Sequence, residues 1–377
     1  MNNDLTSVDW LELPHALDQT RLPMPPSTAD FLQVAQLANL VSSLFWGNND
    51  FYASAESQLA AATAREHVRT SYAVAREPDR PERIIGYAAL SVQNGQSAEI
   101  HVDVHPDFRR RGVGSAVLRE AEAEAARRGC TVLQSWTDNA LVDPDAVDSG
   151  PVFVAGTSLQ TGLTPVVRQA EDRSDQQTPD DGRAGVRWQA PDAAFAAAHG
   201  YALAQLEWTS VLKVREAAGA ALLAESGSST AEDHGYELVG WEGPCPEEFA
   251  ASMAELSGLS DLSGGVSVAA LRSEDRAREQ RGQTVVTTAA RDRSTGRLVG
   301  YSDIETFDDL PQAVYQGATV IHPEHSGRQL SLLLQAVNIS RLLRYQPETE
   351  RLYAWGAVEE ELGFVPVATH PAWQKAL

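Results

Sequence analysis

The sequence predicts an α+β fold of two tandem domains, each a mixed, mostly antiparallel twisted sheet flanked by helices. Three observations support this prediction: a length of 377 residues, a set of landmarks that occurs twice in one order, and strand and helix patterns that alternate in both halves. A chain of this length is too long for one ordinary hydrophobic core, which favours two domains.

The landmarks are short and recur at matching places. RIIGYAAL at residues 83–90 is followed by VHPDF, and RLVGYSDI at residues 297–304 is followed by IHPEH. AAAHGY at residues 196–201 and EEELGF at residues 359–364 then stand near the end of each half. Four matches in one order indicate a duplicated domain, with a period far longer than that of solenoid repeats.

The elements of both halves follow from periodicity and turn chemistry. In the first half we expect a helix over residues 28–45, which leads through residues 57–66 to the strands TSYAVARE, RIIGYAALSV and AEIHVDV. A helix from Val113 to Arg128 and the strand TVLQSW follow. In the second half PEEFAASMAEL predicts a helix with proline at its start, and TVVTTAAR and RLVGYSDIE predict strands around the turn sequence DRSTG. The strand GATVI then leads into a helix over residues 330–343.

Domain boundaries follow from composition. We expect a first domain over residues 1–215, a linker over 216–232 and a second domain over 233–377. The first domain carries an insertion over about 141–187 that the second lacks, and its acidic, turn-rich part predicts a mobile segment.

The bulk composition argues against several classes of protein. The formal net charge of −22 opposes nucleic acid and membrane surfaces as partners, and no apolar run approaches the roughly 18 residues of a membrane-spanning helix. The start of the sequence lacks the basic and apolar regions of a secretory signal, so a cytoplasmic location is expected.

Cysteine and histidine spacing predicts neither a disulfide nor a metal site. Cys130 and Cys245 stand far apart and outside any C-x-x-C pair. No carboxylate or third-histidine motif completes either of the two close histidine pairs, which are His101 with His105 and His322 with His325.

One stretch, VHPDFRRRGVGS at residues 104–115, concentrates positive charge in this acidic chain. It follows a strand in which Glu99, His101 and Asp103 alternate with apolar residues, and it precedes an amphipathic helix. Gly112 and Gly114 therefore lie at a helix N-terminus, where free amides and the helix dipole attract an anion and no Cβ blocks its approach. A basic turn with flexible glycines is the alternative interpretation.

Other phosphate-binding motifs fit poorly, because the stretch has no G-K-[ST] and lacks the third glycine of the dinucleotide fingerprint. Arg109-x-x-Gly112-x-Gly114 resembles the acyl-CoA signature Q/R-x-x-G-x-G/A of the GNAT N-acetyltransferase superfamily, found where the fourth strand meets the third helix. The duplicated arrangement is similar to the tandem GNAT proteins of actinobacteria, of the mycothiol synthase-like two-domain type.

The resemblance implies which residues bind acetyl-CoA. In the family, backbone at the end of the fourth strand pairs with the pantetheine arm, loop amides hold the pyrophosphate, and an Asn after the fifth strand contacts pantetheine. The implied residues are Val102, Val104, Arg109, Arg110, Arg111, Gly112, Val113, Gly114, Ser115 and Asn139. In the second half Ser326, Gln329 and Ser331 replace the signature, which implies a degenerate domain that helps to shape the acceptor cleft.

Acyl transfer to an amine needs a route for the departing proton and groups that stabilise the developing charge. Glu99, His101 and Asp103 are the catalytic candidates, and His101 suits proton transfer near neutral pH. The alternative is that this strand borders solvent or a domain interface, where the three groups only form hydrogen bonds. The Tyr that often protonates the thiolate in the family is absent, since Ala196 and Glu359 occupy its positions.

These observations predict an acyl-CoA-dependent N-acyltransferase that uses acetyl-CoA, acts on a small amine and binds the cofactor in its first half, as a monomer or homodimer. A non-catalytic acyl-CoA-binding sensor is the alternative, favoured by the missing Tyr and the altered second copy.

Overall fold

The computed structural model describes residues 7–17, 23–63, 68–93, 96–140, 191–216, 231–232, 234–260, 265–326, 330–356 and 360–377. The helices of these residues are α1 (Pro26–Trp46), α2 (Ala55–Thr63), α3 (Val113–Arg127), α4 (Pro191–Ala198), α5 (Ala250–Ser260), α6 (Val268–Gln280) and α7 (Leu330–Tyr345). The strands are β1 (Val8–Leu11), β2 (Val68–Glu77), β3 (Arg80–Gln93), β4 (Ser97–Val104), β5 (Val132–Trp136), β6 (Asn139–Ala140), β7 (Ala202–Lys213), β8 (Tyr236–Glu242), β9 (Gln283–Asp292), β10 (Leu298–Phe307), β11 (Ala313–Ile321), β12 (Arg351–Trp355) and β13 (Val365–Ala376).

The strands form one continuous mixed sheet in the order β1-β2-β3-β4-β5-β13-β7-β12-β11-β10-β9-β8, with β6 paired to β13. The last strand of each half lies inside the sheet of the other half. Strand β13 lies between β5 and β7, while β7 lies between β12 and β13. We call β7 and β13 the shared strand pair, because each half needs both strands to complete its sheet.

Helices cover both faces of the sheet. In the first half, α1 packs Val34 and Leu37 against the face that carries Tyr87, and α3 packs Val117 and Ala121 against the opposite face. In the second half, α7 packs on the sheet as α3 does, and α5 lies against β10 and β11. This arrangement leaves the shared strand pair at the centre of the molecule.

The repeated Gly-Tyr landmark has a packing cause in both halves. A Cβ added at Gly86 would lie 2.7 Å from Val113 Cγ1 and 3.2 Å from the carbonyl oxygen of Asp103. A Cβ added at Gly300 would lie 2.6 Å from Ile321 Cδ1 and 3.0 Å from the carbonyl oxygen of Val320. Glycine is therefore required where β3 and β10 approach their neighbours closely.

The predicted helices and strands are confirmed, with differences of a few residues at their ends. Local sequence patterns did not indicate strands β1, β6, β7, β8, β12 and β13 or helices α2, α4 and α6. Strand β13 could not be predicted because Pro366 and Pro371 argue against a central strand. Its central position shows that pairing with β5 and β7 overrides the preference of proline for edge strands. The insertion over 141–187, most of the linker, Gln329 and Glu359 lie outside the described residues. The domain boundaries stay predictions.

None of the helices in the described ranges is both long enough and apolar enough to cross a membrane.

Candidate functional site

Strands β4 and β5 diverge soon after they begin. They pair in parallel only over Ser97–Glu99 and Val132–Gln134. From Ile100 to Val104, β4 pairs with β3 and has no second strand partner among the described residues. The divergence opens a cleft in which backbone groups along one edge of β4 are available to a ligand.

The loop between β4 and α3 lies at one end of this cleft. Arg110, with φ 61°, and Gly112, with φ 86°, adopt the left-handed conformation, and α3 begins at Val113. Left-handed residues within a turn point successive amides to one side, and the first amides of a helix have no partner inside it. The loop therefore has the backbone geometry of an anion site.

The three arginines of the loop are exposed and have different neighbours. Arg109 donates from Nε to the carbonyl oxygen of Val104 at 3.1 Å, which connects the loop to the end of β4. The guanidinium of Arg111 lies 5.3 Å from the centre of the Phe108 ring, which Arg83 also contacts at 5.2 Å. Arg109 is thus held beside the end of the cleft, while Arg111 packs on an aromatic ring.

Helix α4 covers the same loop with residues that sequence analysis missed. A Cβ added at Gly114 would lie 3.4 Å from the ring of Phe195, so this ring lies over the first turn of α3. Ser115 Oγ and His199 Nε2 are 2.9 Å apart. The landmark AAAHGY marked this region, but no local pattern showed that it contacts the loop, because Ser115 and His199 are 84 positions apart in the chain.

Asn139, a predicted cofactor residue, lies on β6 opposite Thr369 of β13. It is 5% exposed, and neither atom of its side-chain amide has a hydrogen-bond partner within the part of the chain that the structure describes. A buried polar group without a partner costs about 1–3 kcal/mol. A ligand that brings both a donor and an acceptor would remove this cost.

The polar face of β4 carries a connected group of side chains. Tyr87 donates from Oη to Asp103 Oδ2 at 2.6 Å, and His101 Nε2 lies 3.0 Å from the same oxygen. The Asp103 carboxylate raises the pKa of His101, whose side chain is mostly exposed, to about 9. Burial disfavours the charged form of Asp103, but His101 and Tyr87 outweigh it and lower the pKa of Asp103.

His101 therefore differs from the expectation of a group that titrates near neutral pH. At neutral pH its ring carries a proton, because the neighbouring carboxylate stabilises the charged form. Glu99 lies on the same face of the strand as His101 and Asp103, since side chains two residues apart share a face. The structure thus places the three predicted catalytic residues along one wall of the cleft.

The second half repeats the turn before the helix. His322 Nδ1 accepts from the amide of Glu324 at 3.4 Å, as His105 Nδ1 accepts from the amide of Asp107 at 3.3 Å. Ser326, at the position of Arg109, donates from Oγ to the carbonyl oxygen of Pro323 at 2.7 Å. Residues 327–329 lie outside the described ranges, so the loss of the second anion site stays a prediction.

The expectation that no carboxylate completes either histidine pair is wrong for this turn. Glu324 lies between His322 and His325, and one ligand atom of each lies within 4.8 Å of the others. A carboxylate therefore does accompany this histidine pair. Both rings also have protein partners, since His325 Nδ1 lies 2.8 Å from Tyr236 Oη on β8 and His322 Nδ1 accepts the amide of Glu324.

The chain resembles known proteins in part of its sequence and in its fold. Residues 38–144, which include the cleft and the loop, match the model of the Acetyltransferase (GNAT) family. A search of curated proteins gave no significant match. The chain is similar to the solved structure of a tandem GNAT protein from the clavulanic acid biosynthesis pathway, with 22% identity, 98% of each chain covered and a TM-score of 0.69.

A second solved structure shows the same likeness over the full length. It is a GCN5-related N-acetyltransferase from Sphaerobacter thermophilus, with 13% identity, 98% of this chain and 95% of that chain covered, and a TM-score of 0.58. At such identities a structural likeness shows the fold alone. Residues 38–144 thus match the GNAT acetyltransferase family, and the chain as a whole has the fold of a tandem GNAT protein.

Proposed function

We propose that the protein is an acyl-CoA-dependent N-acyltransferase that takes acetyl-CoA, acts on a small amine and binds the cofactor in its first half. The proposal rests above all on one juxtaposition: the cleft beside β4 ends where the left-handed turn at Gly112 begins. A free strand edge suits the amides of a pantetheine arm, and the amides of the turn suit its pyrophosphate.

We assign cofactor binding to the predicted residues by their positions along the cleft and the turn that follows it. Val102 and Val104 would offer backbone groups to pantetheine, and residues 109–115 would surround the pyrophosphate. Asn139 would supply a buried donor and a buried acceptor, both of which have no partner among the described residues.

The polar wall of the cleft, formed by Glu99, His101 and Asp103, would transfer the protons of the reaction. Attack of the amine nitrogen on the thioester carbonyl forms a C–N bond and breaks the C–S bond, so the nitrogen loses a proton and the sulfur gains one. We assign the acceptance of the nitrogen's proton to Glu99. His101, protonated at neutral pH, would give its proton to the thiolate and recover one from Glu99 through solvent. This role of His101 would replace the family's Tyr.

The cofactor assignment is tested by calorimetry with acetyl-CoA. Gly112→Glu is expected to abolish binding, because it places a negative charge in the path of the pyrophosphate. Gly296→Glu is the matched control, since Gly296 lies between β9 and β10 with φ 73° and, like Gly112, has open space around an added Cβ. Unchanged affinity in Gly112→Glu would move the site to the second half.

The activity is tested by thiol release from acetyl-CoA with a panel of primary amines. Release that depends on one amine supports the transferase. Tight binding of acetyl-CoA without turnover over the whole panel would instead support the acyl-CoA sensor.

A further inference from the structure

The shared strand pair contains a buried carboxylate with one oxygen that lacks a partner. Glu207 on β7 is 6% exposed, and its Oε1 accepts from Gln205 Nε2 at 2.5 Å. Its Oε2 has no hydrogen-bond partner among the described residues. Burial raises the pKa of Glu207 to about 7, although His370 lowers it in part. A carboxylate in such a place is unfavourable unless a ligand completes its hydrogen bonds.

A second buried oxygen lies beside it. Thr209, two residues further along β7, is 0% exposed, and its Oγ1 has no partner within the described ranges either. Side chains two residues apart on a strand point to the same face, with Cα atoms roughly 7 Å apart, so one ligand can contact both oxygens. Both can accept hydrogen bonds, and the group best suited to satisfy them together is an ammonium, which has several donors and a positive charge.

Strand register places these oxygens on the face that carries the polar wall of the cleft. Glu207 on β7 pairs with His370 on β13, and Ala372, two residues after His370, pairs with Trp136 on β5. Gln134, two residues before Trp136, pairs with Glu99 on β4. Residues paired across strands share a face, so Glu207 faces the same side as the catalytic candidates. Only β13 separates β7 from β5, which puts Glu207 roughly 10 Å from β5 at the usual strand spacing.

An aromatic surface lies between Glu207 and the polar wall of the cleft. The ring of His370 stacks on Trp136 with centroids 4.7 Å apart and 12° between planes, and Trp355 lies 6.5 Å from His370. His370 Nδ1 lies 2.7 Å from Asp138 Oδ1, which adds a second carboxylate. Aromatic faces and carboxylates attract cations, and both halves of the chain contribute to this surface.

We propose that Glu207 and Thr209 form a second subsite for the acceptor, which binds an ammonium other than the one that is acylated. The inference rests on the proposed function and names the acceptor class: a diamine or longer polyamine whose second nitrogen lies roughly 10–15 Å from the reacting one, since β7 is two strand spacings from β5 and three from β4. The chain between the two nitrogens would lie along the surface formed by Trp136, His370 and Trp355.

The test uses the full chain and compares diamines with monoamines of the same length. Octamethylenediamine and decamethylenediamine are titrated by calorimetry against octylamine and decylamine, with and without acetyl-CoA. The diamines are expected to bind roughly tenfold more tightly. Glu207→Gln, which keeps the shape and removes the charge, is expected to abolish that advantage and leave the affinity for acetyl-CoA unchanged.

Glu305→Gln is the matched control, because burial also raises the pKa of Glu305, which lies on β10 away from the cleft. The control is expected to keep the diamine advantage. An equal affinity for diamines and monoamines, or an advantage that survives Glu207→Gln, would overturn the subsite. Failure of the wild-type protein to bind acetyl-CoA would instead overturn the proposed function, since diamine binding is measured separately.

Discussion

The carboxylate of Asp50, in the loop between α1 and α2, accepts two hydrogen bonds from the guanidinium of Arg351 on β12, 301 residues further along the chain. Tyr353 also donates to Asp50 Oδ2 at 2.8 Å, and Tyr315 donates to the carbonyl oxygen of Asp50 at 2.5 Å. Asp50 is 1% exposed. The pair therefore ties a loop of the first half to the sheet of the second.

Asp50→Ala is expected to lower the free energy of unfolding by about 2–3 kcal/mol, because Arg351 would lose its buried partner and keep only the exposed carboxylate of Glu350. This is less than the cost for a fully buried pair, since water reaches part of the Arg351 side chain. Urea denaturation measures the loss. Tyr353→Phe removes the hydrogen bond to Asp50 and a longer one from Asn48 but no charge, so it should cost only about 1 kcal/mol. An equal cost for both variants would contradict the assigned role of the charge pair.

Trp373 on β13 comes from the end of the chain but packs in the core of the first half, where its Nε1 donates to Thr137 Oγ1 at 2.9 Å. Trp373→Ala is expected to cost about 3–5 kcal/mol, as for other large buried side chains. Because β13 also completes the sheet of the second half, both halves should unfold in one transition at lower urea. Two separate transitions, with the second half unchanged, would show that the shared strand pair does not couple the halves.

The pKa of His101 is raised from 6.5 to about 9, so the folded protein holds this proton more tightly than the unfolded chain. The resulting stabilisation is complete below pH 6.5 and is lost as the pH rises through about 9. Urea denaturation across this range should show stability that falls more steeply with pH in the wild-type protein than in His101→Gln. Parallel curves for the two proteins would mean that Asp103 does not stabilise the charged ring.

Gly86 and Gly300 form a matched pair, since they occupy equivalent places in the two halves. Alanine at either position forces neighbouring atoms to move, and each variant is expected to lose about 1–3 kcal/mol of stability. Only Gly86→Ala pushes on Val113 at the start of α3, so it alone should weaken acetyl-CoA binding severalfold by calorimetry. Equal weakening by Gly300→Ala would argue for a cofactor site that depends on both halves.

The loop and the strand face of the candidate site could be predicted as local structure because their signals are local. The spacing of Arg109, Gly112 and Gly114 sets a turn and a helix start within a few residues, and the alternation of Glu99, His101 and Asp103 sets one strand face. The raised pKa of His101 could not be predicted, since it depends on a hydrogen bond whose length the sequence does not specify.

By itself the sequence determined the duplicated α+β organisation, the position of Gly112 at the start of a helix and the order of the elements around it, because periodicity and turn chemistry act over short distances. Only the tertiary structure decided that β7 and β13 each pair with strands of the other half and that Asp50 forms an ion pair with Arg351. It also decided that Glu207 has a buried oxygen without a partner among the described residues. These features arise from pairings between residues far apart in the chain, for which neither periodicity nor spacing carries a signal.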